Sequence, residues 1–267
     1  MNDFVQIAGY RVATAFPELP ADEGSAPLVI NTINTHAWVV ASHDNLFREA
    51  LVSSSVLLPD GEGIVWAVRR LTGRKIRKIA GFDLHQYMLE HLNSVHGTCF
   101  YLGATGNTLM MIRKKLEKEY PDIRAGFFSP PFKPVFTEAD DRRMIGAVND
   151  NDMVRESGRP LDVLFVGMTA PKQEKWVFQH KDELRAGIIC SIGAVFDFYA
   201  GTAKRPPDWM IRHRLEWLGR LISHPGKIWR RVIISGPRFL VSIRHVNDAS
   251  ANNPSTSQEH GSNLDLH

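Results

Sequence analysis

The first 200 residues alternate between short, continuous apolar runs and longer stretches in which apolar residues recur at helical spacing. The continuous runs predict buried strands at 27–33, 54–58, 98–103, 122–128, 161–167 and 187–192. Helical spacing predicts helices at 36–52, 64–72, 83–95, 107–119, 137–149, 172–185 and 193–199. Apolar strands that alternate with helices are typical of a parallel sheet covered on both faces. The pattern therefore predicts an α/β fold with a Rossmann-like parallel sheet and flanking helices.

Polar residues follow the ends of four predicted strands. They are Thr32 and Asn34, then Asp60, then the stretch 103–106, and finally the stretch 167–173. In open α/β folds, ligands bind beyond the carboxyl ends of the strands, which meet at one edge of the sheet. We therefore expect these four clusters, although distant in sequence, to line a single crevice.

Asp60 stands in the sequence LLPDGEG, between an apolar run and the helix predicted at 64–72. An aspartate at a helix start accepts hydrogen bonds from backbone N–H groups, so Asp60 could cap this helix. A carboxylate at a strand end can also act as a general base that deprotonates a hydroxyl nucleophile. The sequence leaves both interpretations open, and the two roles are compatible.

Two further loops could receive an anion. Gly103 and Gly106 join a strand to a helix, where backbone N–H groups can approach a phosphate. Because the full dinucleotide fingerprint is absent and glycine is common at such turns, a tight turn is the default interpretation of these residues.

In APKQEKW, Lys172 and Gln173 fall in the first turn of a predicted helix. A lysine there is unfavourable by about 0.3–1 kcal/mol, which an anionic ligand would offset, unless Lys172 simply points to water.

The sequence predicts neither a metal site nor a cofactor. Asp150-Asn151-Asp152 matches the Asp-x-Asp pattern that holds a divalent metal on nucleotide-sugars, but it follows a helix and precedes a polar connection. A solvated loop is the better interpretation. Cys99 and Cys190 both lie in apolar runs, which predicts buried strand residues and no disulfide or zinc site.

The C-terminal part of the chain carries most of the positive charge. Ten lysines and arginines against two acids give residues 201–246 a net charge of +8, whereas the first 200 residues sum to −2. A basic segment suggests a polyanionic partner: nucleic acid, a phospholipid surface or a diphosphate ligand. Its arginines are interspersed with tryptophan, isoleucine and leucine, which favours a membrane surface over nucleic acid.

These patterns divide the chain into four parts. They are an N-terminal extension (1–26), an α/β catalytic domain (27–200), a basic, all-helical membrane-associating appendage (201–246) and a disordered tail (247–267). The N-terminus has no signal-peptide pattern, and no apolar window is long enough to span a bilayer.

Several motifs together resemble the WecG/TagA/CpsF glycosyltransferases, glycosyltransferase family 26. They are Thr32-x-Asn34, LPDGEGIVWA, AGFDL, YLGATGN, LFVGMTAPKQEKW, IGAVFDFYAGTAKRPPDWM and LEWLGRL, spread over roughly residues 27–235. Within the family, xanthan-type exopolysaccharide transferases look closest in length and character.

The resemblance implies an inverting, metal-independent hexosyltransferase. Such an enzyme would move a sugar, with glucose preferred here, from a UDP-sugar to a polyprenyl-diphosphate-linked saccharide in exopolysaccharide biosynthesis. It would act as a peripheral protein on the cytoplasmic face of the plasma membrane. Transfer of N-acetylmannosamine or its uronic acid is the alternative within the family.

The resemblance also implies roles for individual residues. Asp60 matches the carboxylate proposed as catalytic base, and Thr32 and Asn34 match polar residues near the donor. Gln173 matches a glutamine near the nucleotide. Three basic residues match those that close over the diphosphate: Arg220, Lys227 and Arg230. Lys78 and Lys227 stand where the family usually carries arginine, and lysine lacks the bidentate fork of a guanidinium.

Two other classes compete with a transferase. A nucleotide-dependent oxidoreductase would need a GxGxxG turn and an acid ending the next strand, and neither is present. A non-catalytic membrane or nucleic-acid adaptor would use the basic segment but would not need Asp60. Homo-oligomer formation is left open by the sequence.

Overall fold

The protein is described from a computed structural model that covers residues 3–19, 26–203 and 235–251. Its centre is an eight-stranded sheet of order β1-β2-β4-β3-β8-β7-β5-β6. The strands are β1 (Phe4–Ile7), β2 (Tyr10–Ala13), β3 (Leu28–Ile33), β4 (Val56–Pro59), β5 (Thr98–Gly103), β6 (Arg124–Phe128), β7 (Leu161–Gly167) and β8 (Ala186–Ser191). All neighbours pair in parallel except β1 and β2. The predicted α/β fold class is confirmed.

Helices cover both faces of the sheet. They are α1 (Thr35–Ala41), α2 (Asn45–Val52), α3 (Glu62–Thr72), α4 (Gly81–Ser94), α5 (Gly106–Glu119), α6 (Glu138–Asn149), α7 (Asp152–Ser157), α8 (Lys172–His180), α9 (Val195–Ala200) and α10 (Ser235–Ala251). Alternate strand residues enter different apolar clusters. Ile30, for example, packs with α4, α5 and α9, while its neighbour Val29 packs with α6 and α8. This alternation explains why the strands are apolar throughout.

Three local features depart from the sequence prediction. Residues 4–13 form a β1–β2 hairpin, which joins the sheet where Val12 pairs with Leu57. The helix predicted at 36–52 is two helices, because the Asp44 carboxylate accepts from Phe47 N at 3.0 Å and starts α2. The predicted loop around Asn151 contains the short helix α7, which Asn151 caps through Met153 N and Val154 N.

The last described helix, α10, is part of the core. Phe239 is buried and meets Trp38 of α1 edge-on, with 5.5 Å between ring centroids. Trp38 Nε1 donates to Ser242 Oγ at 3.0 Å, and His36 Nδ1 lies 2.9 Å from Ser235 Oγ. This helix therefore fastens the far end of the basic segment to α1, beside the start of that helix.

Two smaller observations complete the fold. Cys99 on β5 and Cys190 on β8 are both buried and not disulfide-bonded, as predicted. Within the described part of the chain, no helix is both long enough and apolar enough to cross a bilayer. Residues 252–267, most of the predicted tail, lie outside the described residues, and α10 continues past residue 246.

Candidate active site

A cavity of about 660 Å³ opens at the carboxyl edge of the sheet. Its lining follows five neighbouring strands in order: Asp60 after β4, Thr32 on β3 with Asn34 directly after that strand, Gly193 after β8, Gly167 at the end of β7, and Ala104 after β5. The four predicted clusters therefore do line one crevice, and the end of β8 is a fifth contributor.

The loop that carries Asp60 is fixed by its backbone and two glycines. Asp60 N donates to Ile33 O at 2.9 Å, which ties the end of β4 to β3. Gly61 has a φ of +110° and is the N-cap residue of α3, so Asp60 stands one residue before the cap position it was predicted to hold. A Cβ on Gly63 would lie 2.2 Å from Thr35 Cγ2. The glycines thus allow α3 to start directly against α1 and leave Asp60 half-buried at the cavity.

Thr32 and Asn34 lie beside Asp60 in the lining. Asn34 Oδ1 accepts from Ala37 N at 2.9 Å and caps α1. This bond uses one of the two lone pairs of Oδ1, so Asn34 can offer a ligand its NH₂ group and the second lone pair.

Gln173 and Glu174 occupy the first turn of α8 and are 4% and 3% exposed. Gln173 Nε2 donates to Glu174 Oε1 at 2.8 Å. Burial raises the pKa of the Glu174 carboxyl to about 7. Gln173 was predicted from sequence but Glu174 was not, since a glutamate in a first helical turn usually faces solvent.

Asp197 on α9 also lines the cavity and was assigned no role from the sequence. Its Oδ1 accepts from Thr108 Oγ1 at 3.3 Å and from Thr202 Oγ1 at 3.1 Å. The motif FDFYAG contains this residue, but the pattern alone did not show which side of the short helix faces the cavity.

A proline-rich loop after β6, residues 129–136, closes one side of the cavity. Lys172 Nζ donates to Lys133 O at 2.6 Å and lies 3.5 Å from the centroid of the Phe136 ring. Burial, followed by the nearby Lys133 ammonium, lowers the pKa of Lys172. Lys172 therefore holds this loop in place, and the interpretation that it only points to water is wrong.

Lys133 itself forms an ion pair with Asp140 at the start of α6. Hydrogen bonds from Lys133, and then from Thr137, hold the pKa of the Asp140 carboxyl well below its ordinary value. The loop is thus anchored by charge at both Lys133 and Lys172.

Other predicted residues lie elsewhere. Gly103 and Gly106 are not in the lining; a Cβ on Gly103 would lie 2.3 Å from Gly167 O, so Gly103 permits the close approach of β5 and β7. Lys78 is half-buried just before Ile79, whose N–H donates to Pro59 O, and does not line the cavity either. The remaining three predicted residues, Arg220, Lys227 and Arg230, lie outside the described residues.

Metal-ligating groups do not cluster in the part of the chain that is described. Across residues 3–19, 26–203 and 235–251, no three His, Cys, Asp or Glu residues are placed to hold one metal ion. Asp150 and Asp152 flank the junction between α6 and α7.

The fold and the cavity together define an α/β protein with a cavity at the carboxyl edge of a parallel sheet, next to a half-buried carboxylate and the N-terminal ends of α5 and α8. Ligands of open α/β folds bind at this edge. The model of the Glycosyl transferase WecG/TagA/CpsF family matches residues 5–250. The chain belongs to this glycosyltransferase family.

Three related proteins carry the name N-acetylglucosaminyldiphosphoundecaprenol N-acetyl-beta-D-mannosaminyltransferase. The Bacillus subtilis (strain 168) protein is 30% identical over 218 residues, covering 80% of this chain and 78% of that protein. The Bacillus spizizenii protein is 26% identical, with 86% and 83% covered. The Staphylococcus aureus (strain MW2) protein is also 26% identical, with 84% and 82% covered.

Proposed function

We propose that this protein transfers N-acetylmannosamine from a UDP-sugar to an N-acetylglucosamine carried on a polyprenyl diphosphate. The observation that carries the proposal is the position of Asp60 in the cavity, beside Thr32 and Asn34, in a chain of this family. The names of the relatives favour N-acetylmannosamine, the sequence-based alternative, over the glucose preferred from sequence.

In the proposed reaction, Asp60 takes the proton of the acceptor hydroxyl. The hydroxyl oxygen forms a bond to the anomeric carbon while the bond from that carbon to the diphosphate oxygen breaks. UDP leaves with the electron pair, and attack from the opposite face inverts the anomeric centre. One positioned base is sufficient for this step, and general base catalysis of this kind typically contributes about 10²–10⁴ in rate.

The departing diphosphate needs positive charge. The N-terminal ends of α5 and α8 meet the cavity and supply backbone N–H groups. We assign further charge to Arg220, Lys227 and Arg230, but not to Lys78, which does not line the cavity. The residues on either side of the segment 204–234 both lie near the cavity. Ala203 N donates to the carbonyl of Asp197, which lines it. Ser235 contacts His36, two residues after Asn34 of the lining.

The same basic segment is the proposed contact with the membrane that holds the lipid-linked acceptor. Anionic headgroups contribute about 1 kcal/mol per nearby basic residue. Binding at this surface would bring the acceptor diphosphate close to the cavity.

The test is a panel of UDP-sugars, including UDP-N-acetylmannosamine and UDP-glucose, assayed with a GlcNAc-diphosphate lipid. We expect turnover with UDP-N-acetylmannosamine. Preference for UDP-glucose would favour the exopolysaccharide hypothesis, and no turnover with any donor would contradict the proposed function.

Asp60→Asn tests the base. We expect kcat to fall about 10²–10⁴-fold with UDP affinity unchanged, because asparagine keeps the shape but does not accept the proton. Glu62→Gln is the matched control, since Glu62 is a neighbouring carboxylate outside the lining and should keep wild-type kcat. Wild-type turnover in Asp60→Asn would exclude the mechanism.

Metal dependence is measured separately, because the resemblance implies a metal-independent enzyme. We expect the same initial rate with excess chelator as with added Mg²⁺ or Mn²⁺. A rate that disappears with chelator and returns with Mn²⁺ would contradict this part of the proposal.

A further inference from the structure

Glu174 lines the cavity but has no role in the proposed transfer step. It is buried next to Gln173, which also lines the cavity. Their one hydrogen bond runs from Gln173 Nε2 to Glu174 Oε1. Two oxygens of the pair, Gln173 Oε1 and Glu174 Oε2, have no hydrogen-bond partner among the described residues. Buried acceptors without a donor typically cost about 1–3 kcal/mol each, so such a pair at a cavity points to a ligand that donates.

The charge of Glu174 determines which way the amide of Gln173 faces. Above its pKa of about 7 the Glu174 carboxyl is ionised, and an ionised carboxylate only accepts hydrogen bonds, whereas a carboxamide has a donating NH₂ and an accepting oxygen. The carboxylate therefore holds the NH₂ of Gln173 toward itself and leaves the oxygen as the group available to a ligand. A neutral partner at position 174 would not impose this choice.

The nearby lysines do not take over the Glu174 carboxylate. Lys172 donates to Lys133 O, and Lys175 forms an ion pair with Asp44 of α2. Within the described part of the chain, Glu174 therefore keeps the Gln173 amide as its side-chain partner.

Gly193 leaves room for the amide at the end of β8. A Cβ on Gly193 would lie 3.4 Å from both terminal atoms of Gln173, and the φ of +53° favours glycine. Gly193 also lines the cavity. The amide is thus fixed on one side by Glu174 and packed on another by a backbone without a side chain.

We propose that Glu174 is a positioning residue that orients the Gln173 amide, so that its oxygen accepts a hydrogen bond from a hydroxyl or N–H group of the donor sugar nucleotide. This inference rests on the proposed function. It adds a specificity element, because a ligand without the donating group would leave a buried acceptor unpaired.

The first experiment compares the steady-state kinetics of Glu174→Gln and Glu174→Leu with those of the wild type at about pH 8, where the wild-type carboxyl is ionised. We expect the donor KM to rise about fivefold for Glu174→Gln and more for Glu174→Leu, with kcat within about twofold. Asp141→Asn is the matched control, because Asp141 accepts from Trp176 Nε1 of the same helix but does not line the cavity. An equal KM increase in Asp141→Asn would assign the effect to the packing of α8 and overturn the proposal.

A double variant, Gln173→Glu/Glu174→Gln, provides the rescue. The amide introduced at position 174 can donate to the carboxylate introduced at position 173, which still presents an accepting oxygen. We expect a lower donor KM than in Glu174→Gln alone. A KM no better than that of the single variant would contradict the orienting role.

The second experiment identifies the donating group by calorimetry with UDP, 3-methyl-UDP, 2′-deoxy-UDP and the UDP-sugar. The ligand that lacks the donating group should bind the wild type about fivefold more weakly, or worse, than the ligand that carries it. The same two ligands should differ much less in their affinity for Gln173→Leu. If no analogue shows a difference that depends on Gln173, the inference is wrong even where wild-type turnover supports the proposed function. Absence of wild-type turnover with every donor would instead contradict the proposed function.

Discussion

Glu174 is a buried carboxylate, and its ionisation makes the stability of the fold depend on pH. Its pKa rises from 4.5 to about 7 on folding because burial disfavours the charged form. Between these values the native state holds a proton that the unfolded state has released. Stability therefore falls as the pH rises from about 4.5 to about 7, by roughly 3 kcal/mol.

Glu174→Gln should remove this loss. We expect the free energy of unfolding of the variant, measured in urea, to exceed that of the wild type increasingly from about pH 5 to about pH 8. Glu117→Gln is the control, since Glu117 is exposed on α5 and should give a nearly constant difference. Parallel stability curves for Glu174→Gln and the wild type would contradict the raised pKa.

At the same scale, the sequence predicted the site residues that follow strands better than those that lie on helices. Asp60, Thr32 and Asn34 follow apolar strands, and that position alone places them at the carboxyl edge. Glu174 and Asp197 lie on helices, where the side facing the cavity depends on how each helix packs. From sequence, Gly103 was explained by a phosphate contact or a tight turn. The close approach of β5 and β7, which is not local in sequence, also requires a glycine there.

Among the elements, helix α10 has one side buried against α1 and another side exposed to solvent. Phe239 is 2% exposed against Trp38, whereas the adjacent Leu240 is 47% exposed. Replacing a buried phenylalanine by alanine typically costs about 3–5 kcal/mol, and here the loss falls on the contact between α10 and α1.

Phe239→Ala should release α10 from the core. We expect faster amide hydrogen exchange over 235–251 and at Trp38, measured by mass spectrometry, with the sheet still protected. Leu240→Ala should exchange at the wild-type rate, because that side chain is largely exposed. Unchanged exchange in Phe239→Ala would show that α10 is held by other contacts.

The central elements could be predicted from sequence because each carries its own pattern. The strands β3 to β8 were predicted because they are apolar runs. The pattern did not predict their order within the sheet. The β1–β2 hairpin is short, and its backbone pairing with β4 is limited to Val12 and Leu57, so its place also rests on non-local packing of its side chains in the core. The split between α1 and α2 depends on the cap that Asp44 supplies within an otherwise continuous helical pattern.

For the whole molecule, the main feature is that the most basic part of the sequence is flanked by residues near the cavity. Residues 204–234 carry eight lysines and arginines against two acids, and this segment is bordered by Ala203 and Ser235 near the cavity. Deleting everything after residue 201 would be a poor test of this segment. Such a deletion would also remove Phe239 and Ile243 from the core, so lost activity could reflect lost stability.

Neutralising charges while keeping the chain is the sharper experiment. We expect Arg220→Gln/Lys227→Gln/Arg230→Gln to bind anionic vesicles about 100-fold more weakly at low salt, since each basic residue contributes about 1 kcal/mol. The control is Arg69→Gln/Arg70→Gln/Lys114→Gln, which changes the charge equally on exposed positions of α3 and α5.

The same variants separate membrane contact from diphosphate binding. If the three residues only dock the membrane, transfer to a water-soluble, short-chain acceptor should proceed at the wild-type rate, while transfer to the vesicle-bound acceptor falls. If they also stabilise the departing UDP, as proposed, kcat should fall with both acceptors, because the interaction forms in the transition state. The three residues would have neither proposed role if the variant, the control and the wild type bound vesicles equally well and transferred the sugar at equal rates.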